Sequence, residues 1–111
     1  MKFKHILVQT SCPDEATADR LADALVAARL VGCAQSVPIR STYRWNGAVQ
    51  RESECLLMLK TSADRYADVE ARLRALHPYE VPEIIAVPIL NGSAPYLAWL
   101  DAESSDVANS A

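Results

Sequence analysis

Apolar residues recur along the chain with two different periods, one typical of strands and one typical of helices. Residues 4–9 read as a short strand. From about residue 14 to residue 31, apolar side chains return at steps of three and four and predict an amphipathic helix. Ser11 and Asp14 can cap its start, and Gly32 supplies a C-terminal stop. The apolar stripe consists of Ala18, Leu21, Leu25 and Ala28.

The middle of the chain predicts a β-hairpin. Asn46-Gly47 separates two β-like segments, and both residues tolerate the positive φ angles of a type I′ turn. We expect the two flanking strands to be about ten residues long. A second helix should open at Ser62 and stop at His77, because Pro78 disfavours helical geometry in the residue before it. Its apolar stripe consists of Tyr66, Val69, Leu73 and Leu76.

The last third of the chain completes the pattern. Residues 83–90 predict a strand, and residues 94–102 predict a short helix with Tyr96, Trp99 and Leu100 facing inward. The order is therefore β-α-β-β-α-β plus a small C-terminal helix, which predicts an α+β, ferredoxin-like fold. The length of 111 residues indicates a single domain covering residues 1–111, with a flexible tail from about residue 102 to residue 111.

Both faces of the predicted sheet carry apolar residues. In the third strand Cys55, Leu57 and Leu59 point one way, while Leu56 and Met58 point the other. Two helices can cover only one face, so a partner should cover the second, most simply a copy of the chain itself. The alternative is a hydrophobic hairpin folded back over its own sheet.

Composition narrows the functional classes. The net charge is −3 and the basic residues are scattered, so the sequence lacks the basic patch of a nucleic-acid-binding protein. The apolar runs are too short for a signal peptide or a membrane span, which predicts a soluble, cytoplasmic protein without a membrane partner. The three cysteines, Cys12, Cys33 and Cys55, are widely spaced and predict reduced thiols rather than a disulfide framework.

Three stretches resemble the CutA (divalent-cation tolerance) family. "PDEATADRLADALV" is similar to the family's first helix, residues 32–61 to its central hairpin, and "HPYEVPEIIAVPI" followed by "YLAWL" to its C-terminal signature. The resemblance implies a cytoplasmic homotrimer of ferredoxin-like subunits that serves tolerance of copper or other divalent metals, with no established catalysed reaction and no organic cofactor. It also implies an architecture similar to the PII signalling proteins, so a PII-like sensor of nucleotides or small molecules is the alternative function.

The resemblance also suggests a metal site, which this chain matches only in part. The family's bacterial copper pattern corresponds to Thr10, Leu76 and His77 here, and of these only His77 carries a good copper ligand. If the first strand continues past Thr10, Cys12 points to the same side about 7 Å further along and can join His77. We therefore expect a copper or other divalent-metal site at His77, Cys12 and Thr10. The alternative is that His77 is an imidazolium favoured by the helix C-terminus.

A second set of polar side chains suggests a ligand-binding cleft. Lys60, Tyr79 and Glu83 can line a cleft between subunits and hold an anion or a small polar ligand. The alternative is that Pro78 and Pro82 only stiffen a corner of the fold. Neither a Ser-His-Asp nor a Cys-His arrangement stands out, and we predict that the protein is not an enzyme.

Overall fold

The structure, a computed structural model, describes residues 3–105, which contain four strands and three α-helices in the order β-α-β-β-α-β-α. A 3₁₀ turn, Ala63–Arg65, leads into the second helix. The elements are β1 His5–Cys12, α1 Glu15–Ala27, β2 Cys33–Trp45, β3 Ala48–Ser62, α2 Tyr66–Leu76, β4 Ile85–Pro88 and α3 Ala94–Glu103.

The strands form one antiparallel sheet in the order β2-β3-β1-β4. Helix α1 joins β1 to β2, and helix α2 joins β3 to β4, so each helix crosses over one intervening strand. This arrangement is the split βαβ topology. The prediction of an α+β, ferredoxin-like fold with a short C-terminal helix is confirmed.

The core lies between the sheet and helices α1 and α2. Alternate residues of β1 and β3 point into it, as the period of a strand requires. Helices α1 and α2 present their stripes to the same layer. Its fully buried apolar residues include Val8, Cys12, Leu21, Leu25, Leu57, Leu59, Val69 and Leu73. At roughly 1.5–3 kcal/mol for each large apolar side chain, this layer is the main source of the fold's stability.

The hairpin of β2 and β3 is longer than predicted and extends beyond the rest of the subunit. Its strands have 13 and 15 residues, and Trp45 pairs with Ala48 at the tip. Asn46 and Gly47 have φ angles of 51° and 78°, which confirms the predicted turn. The subunit measures 50 × 25 × 22 Å. Its radius of gyration of 14.7 Å exceeds the roughly 13 Å expected for this length, because the hairpin projects.

The sheet face opposite helices α1 and α2, called the open face below, remains apolar. Residues paired in the strand register share a face of the sheet, and those that do not point into the core lie on the open face. None of the ones named here is fully buried within one subunit. They are Leu7, Gln9, Val37, Ile39, Leu56, Met58, Ile85 and Val87.

Helix α2 begins at Tyr66, after the 3₁₀ turn, rather than at the predicted Ser62.

Three further element boundaries differ from the sequence predictions. Strand β1 continues to Cys12, three residues past the predicted end. Helix α1 ends at Ala27 because Arg29, rather than Gly32, adopts the left-handed conformation with φ 59°. Strand β4 has only the four residues Ile85–Pro88, whereas residues 83–90 were predicted. Regular pairing with β1 covers only this short segment, although the N–H of Ile89 also donates to the carbonyl oxygen of His5 at 3.0 Å.

The C-terminal helix corrects two further predictions. Leu100 is buried as expected, but Tyr96 and Trp99 are 38% and 45% exposed rather than turned inward. The predicted flexible tail begins too early, because α3 continues through Glu103 and Ser104 is buried. The Arg29 side chain also donates hydrogen bonds to the carbonyl oxygens of Ala102 and Ser105. The rest of that predicted tail, residues 106–111, lies outside the described residues.

Candidate functional site

The end of β1 carries two of the predicted metal ligands. Because β1 extends to Cys12, Thr10 and Cys12 point to the same side, and both are fully buried in the core layer. Within the described residues, the Thr10 hydroxyl has no hydrogen-bond partner. Burial, with smaller contributions from Cys55 and the nearby carboxylates, raises the pKa of the Cys12 thiol to about 11. The Cys12 sulfur is therefore a protonated thiol at neutral pH.

His77 lies against this strand end, and hydrogen bonds hold both of its ring nitrogens. Its Nε2–H donates to the carbonyl oxygen of Ser11 at 2.9 Å, and its Nδ1 accepts the backbone N–H of Tyr79 at 3.1 Å. Burial lowers the pKa of the imidazole, although the bond to Ser11 and the charge of Glu54 oppose that effect. The ring is thus a neutral Nε2–H tautomer, and the predicted imidazolium at the helix end is wrong.

These contacts limit what the predicted metal ligands can do. Either ring nitrogen of His77 would have to give up a hydrogen bond before it could ligate a metal. Leu76, at the family's other ligand position, offers no donor atom and is exposed. Among residues 3–105, no group of three or more His, Cys, Asp or Glu side chains is placed to hold a metal ion. The usual three- or four-ligand protein site does not fit this arrangement.

The structure places a third residue beside Cys12 that the sequence interpretation did not include. Cys55 is the direct partner of Cys12 in the β1–β3 register, and both point into the core layer. Strand alternation predicts that Cys55 shares a face with Leu57 and Leu59, but its pairing with Cys12 depends on the register between two residues more than forty positions apart in the chain. Only the tertiary fold shows that the two thiols face each other.

Tyr79 and Glu54 form a second feature at the same end of the sheet. The Tyr79 hydroxyl donates a 2.6 Å hydrogen bond to Oε2 of Glu54, whose side chain is buried. The Tyr79 ring also packs on His77, with 4.9 Å between ring centroids. Burial, followed by the bond to Glu54, raises the pKa of the Tyr79 phenol well above its usual value. Tyr79 is therefore a neutral phenol at physiological pH and can donate its hydrogen bond to Glu54.

A groove of about 330 Å³ opens beside this network and is called the acidic groove below. Its acidic residues are Asp14, Glu15 and Glu54, and Cys55 contributes to its wall. Asp14 caps α1 by accepting the N–H of Thr17 at 2.8 Å, a bond that lowers the pKa of its carboxyl group. The remaining lining residues are Pro13, Ser36, Pro38 and Ser53. The groove thus joins solvent to the region of the paired cysteines under a negative potential.

Lys60, Tyr79 and Glu83 do not meet within one subunit. Lys60 stands six residues from Glu54 along β3, a separation of roughly 20 Å at 3.3 Å per residue, and its ammonium lies 5.7 Å from the ring centroid of Tyr96. Glu83 lies between these points and accepts a 3.0 Å hydrogen bond from Gln9. A cleft that uses all three residues would need a second subunit, and it stays a prediction.

The described part of the chain, residues 3–105, contains no helix that is both long enough and apolar enough to cross a bilayer.

Comparisons with known proteins agree with this architecture. Residues 6–103 match the family model for the CutA1 divalent ion tolerance protein. The divalent-cation tolerance protein CutA of Thermus thermophilus is 44% identical over 95 residues, which cover 85% of this chain and 92% of that protein. Protein CutA of Mus musculus is 40% identical over 101 residues, but this chain spans only 57% of its length.

Solved structures show the same likeness in three dimensions. A CutA structure from Archaeoglobus fulgidus, described as a periplasmic divalent cation tolerance protein, superposes with a TM-score of 0.89 at 30% identity and covers 91% of this chain and 99% of that one. The matches give no support to the PII-like alternative. The family match over residues 6–103 agrees with the ferredoxin-like sheet, and the chain belongs to the CutA1 divalent ion tolerance family.

Proposed function

We propose that the chain acts in divalent-metal tolerance as a homotrimer and that it contacts metal weakly at the end of β1, with copper as the predicted metal. The observation that carries the proposal is the hydrogen bond from His77 to the carbonyl oxygen of Ser11, the residue before the buried Cys12, at a strand end that the acidic groove opens toward solvent. Thr10 completes the predicted ligand set. The proposed protein has no organic cofactor and no catalytic activity.

The open face supports assembly. Val87 is 43% exposed and Ile85 is 47% exposed within one subunit, and they adjoin the half-buried Leu7, Leu56 and Met58. A contiguous apolar surface of this kind marks a protein–protein interface. The projecting hairpin can extend over a neighbouring subunit. Contacts between copies of the chain would then cover the open face. Such a neighbour would also bring a second set of Lys60, Tyr79 and Glu83 into the predicted cleft.

The free thiols support a location of the chain in a reducing compartment. All three cysteines, Cys12, Cys33 and Cys55, are free, and disulfides are rare in the cytosol. A cytoplasmic location is therefore proposed for this chain, although its Archaeoglobus fulgidus relative is described as periplasmic.

Calorimetric titration tests the metal proposal. The parent chain and a Cys12→Ala/His77→Ala double variant are titrated with copper and with zinc, and a His5→Ala variant serves as the control because it removes the other histidine. We expect heat with the parent and with His5→Ala and its loss in the double variant. Equal copper binding by the parent and the double variant would overturn the site, and native mass spectrometry of the same samples tests the trimer.

A further inference from the structure

The pairing of Cys12 with Cys55 gives the chain a two-sulfur arrangement that the predicted ligand set does not contain. The two residues are direct partners in the antiparallel register of β1 and β3. Opposed residues in such a pair have Cβ atoms about 4.5–5.5 Å apart, so both thiols can reach a single atom placed between them. Cys12 is fully buried and Cys55 is 6% exposed.

The third cysteine does not join them. Cys33 is half-buried and pairs with Lys60 in the β2–β3 register, five residues along β3 from Cys55. It belongs to the opposite side of the sheet, because alternate residues of a strand face opposite ways. The chain therefore carries one facing pair and one separate thiol.

We propose that Cys12 and Cys55 form a binding site for a soft divalent cation held by two thiolate sulfurs, with Hg(II) as the representative ion. The inference rests on the proposed metal function at the end of β1 and changes one ligand of the site. Cys55, rather than His77, is the second ligand beside Cys12. His77 instead orients the strand end through its bonds to Ser11 and Tyr79.

The number of donors selects the ion. Mg²⁺ and Ca²⁺ require six or more oxygen ligands, and Zn²⁺ almost always takes four tetrahedral ligands in structural sites. No group of three His, Cys, Asp or Glu side chains is available within the described residues 3–105. Two thiolates without further ligands suit a soft ion that accepts linear, two-coordinate binding.

The charge of the complex also favours a soft divalent ion. Binding breaks two S–H bonds, releases two protons to solvent and forms two metal–sulfur bonds, with no electron transfer. Two thiolates and a divalent ion give a neutral unit, which can remain in the apolar core layer. A monovalent ion would leave a net negative charge buried in the apolar core layer, which is costly without a partner. The neutral product therefore favours a divalent soft ion.

The acidic groove provides the entry path. Cys55 lies in its wall, and Asp14, Glu15 and Glu54 surround the approach to it. Carboxylates in a concave site raise the local concentration of cations. They are hard oxygen donors, however, and they release a soft ion to the sulfurs behind them.

The test begins from a Cys33→Ser variant, which removes the separate thiol. Hg(II) is added to this reduced protein in excess glutathione, so that only a two-thiol site retains the ion against a monothiol. We expect one Hg(II) per chain after glutathione is removed, and two sulfur neighbours by X-ray absorption. The protons of the Cys12 and Cys55 thiols pass to the two glutathione thiolates that leave the ion. A shell of one sulfur and one nitrogen would overturn the inference, and this measurement needs no substitution at the site itself.

Further variants in the same background separate the inference from the proposed function. Cys55→Ala should weaken Hg(II) retention by more than the roughly 10–100-fold that loss of an outer-shell partner costs, while His77→Gln should change it little. The reverse result, loss with His77→Gln and retention with Cys55→Ala, would overturn the inference but leave the Cys12–His77 site standing. Absence of both Hg(II) and copper binding in the Cys33→Ser protein would overturn both.

Discussion

The hydroxyl of Tyr79 donates a 2.6 Å hydrogen bond to the carboxylate of Glu54 at the end of the sheet where β1 stops. The two residues come from different elements, Glu54 from β3 and Tyr79 from the connection between α2 and β4. The bond satisfies a carboxylate that the fold has buried. It therefore fixes the corner of the chain that also positions His77.

Tyr79→Phe should lower the free energy of unfolding by about 1–3 kcal/mol, because the Glu54 carboxylate keeps its burial and loses its donor. Tyr43→Phe is the matched control, since Tyr43 donates a 2.8 Å hydrogen bond to Glu52 in an exposed setting. We expect the control to cost less than about 0.5 kcal/mol. Urea denaturation of both variants measures the difference, and equal losses would show that burial of Glu54 plays no part.

The same phenol predicts a loss of stability at alkaline pH. Burial and the Glu54 bond raise the pKa of Tyr79, so the unfolded chain ionises first, at the ordinary tyrosine value of about 10. The stabilisation is complete below about pH 10 and declines as the pH rises above it. The urea midpoint of the parent should therefore fall more steeply between about pH 9 and pH 11 than that of Tyr79→Phe. Parallel curves would contradict the shift.

His77 predicts the opposite trend at acidic pH. Burial lowers its pKa, so the unfolded chain takes up a proton first, below the ordinary histidine value of about 6.5. The neutral ring contributes its stability above that pH and loses it as the pH falls. The stability difference between the parent and His77→Gln should shrink as the pH is lowered from about 7.5 to 5. A difference that stays constant across this range would count against a neutral His77.

Thr10→Val should stabilise the chain by about 1 kcal/mol, because the substitution removes a buried hydroxyl that has no partner within the described residues. Thr61→Val is the matched control. Thr61 is equally buried, but its hydroxyl donates a 2.7 Å hydrogen bond to the carbonyl oxygen of Leu30. The control should lose about 1–3 kcal/mol because that carbonyl is left unpaired. Thermal unfolding compares the two, and a destabilised Thr10→Val would indicate a partner for Thr10 in the assembled protein.

Val87→Glu should separate the proposed trimer into single subunits, because it places a charge on the open face. Val26→Glu is the matched control: Val26 is also 43% exposed, but it lies on α1, on the helix side of the sheet. Native mass spectrometry should show single subunits for Val87→Glu and trimers for Val26→Glu. A trimer in both variants would place the interface elsewhere.

The local features of this fold could be predicted from the sequence because neighbouring residues determine them. Asn46-Gly47 forms the predicted turn and Asp14 caps α1. Pro78 accounts for the end of α2, whose C-cap is His77. Alternation in β3 correctly placed Cys55 and Met58 on opposite faces of the sheet. Each of these depends on contacts a few residues apart.

The features that could not be predicted depend on contacts between distant segments. The end of α1 is set by Arg29, whose side chain reaches carbonyl oxygens at the end of α3. The exposure of Trp99 reflects how α3 sits against the rest of the subunit, which its own pattern does not encode. The pairing of Cys12 with Cys55 and the two hydrogen bonds of His77 likewise require the sheet register and the path of the chain after α2.

Strand β2 runs for 13 residues along one edge of the sheet, and no other strand within residues 3–105 pairs with its outer side. An edge strand of this length can pair through its backbone with an extended peptide, whatever side chains that peptide carries. A subunit on its own therefore exposes an unpaired edge that can seed aggregation until another chain covers it.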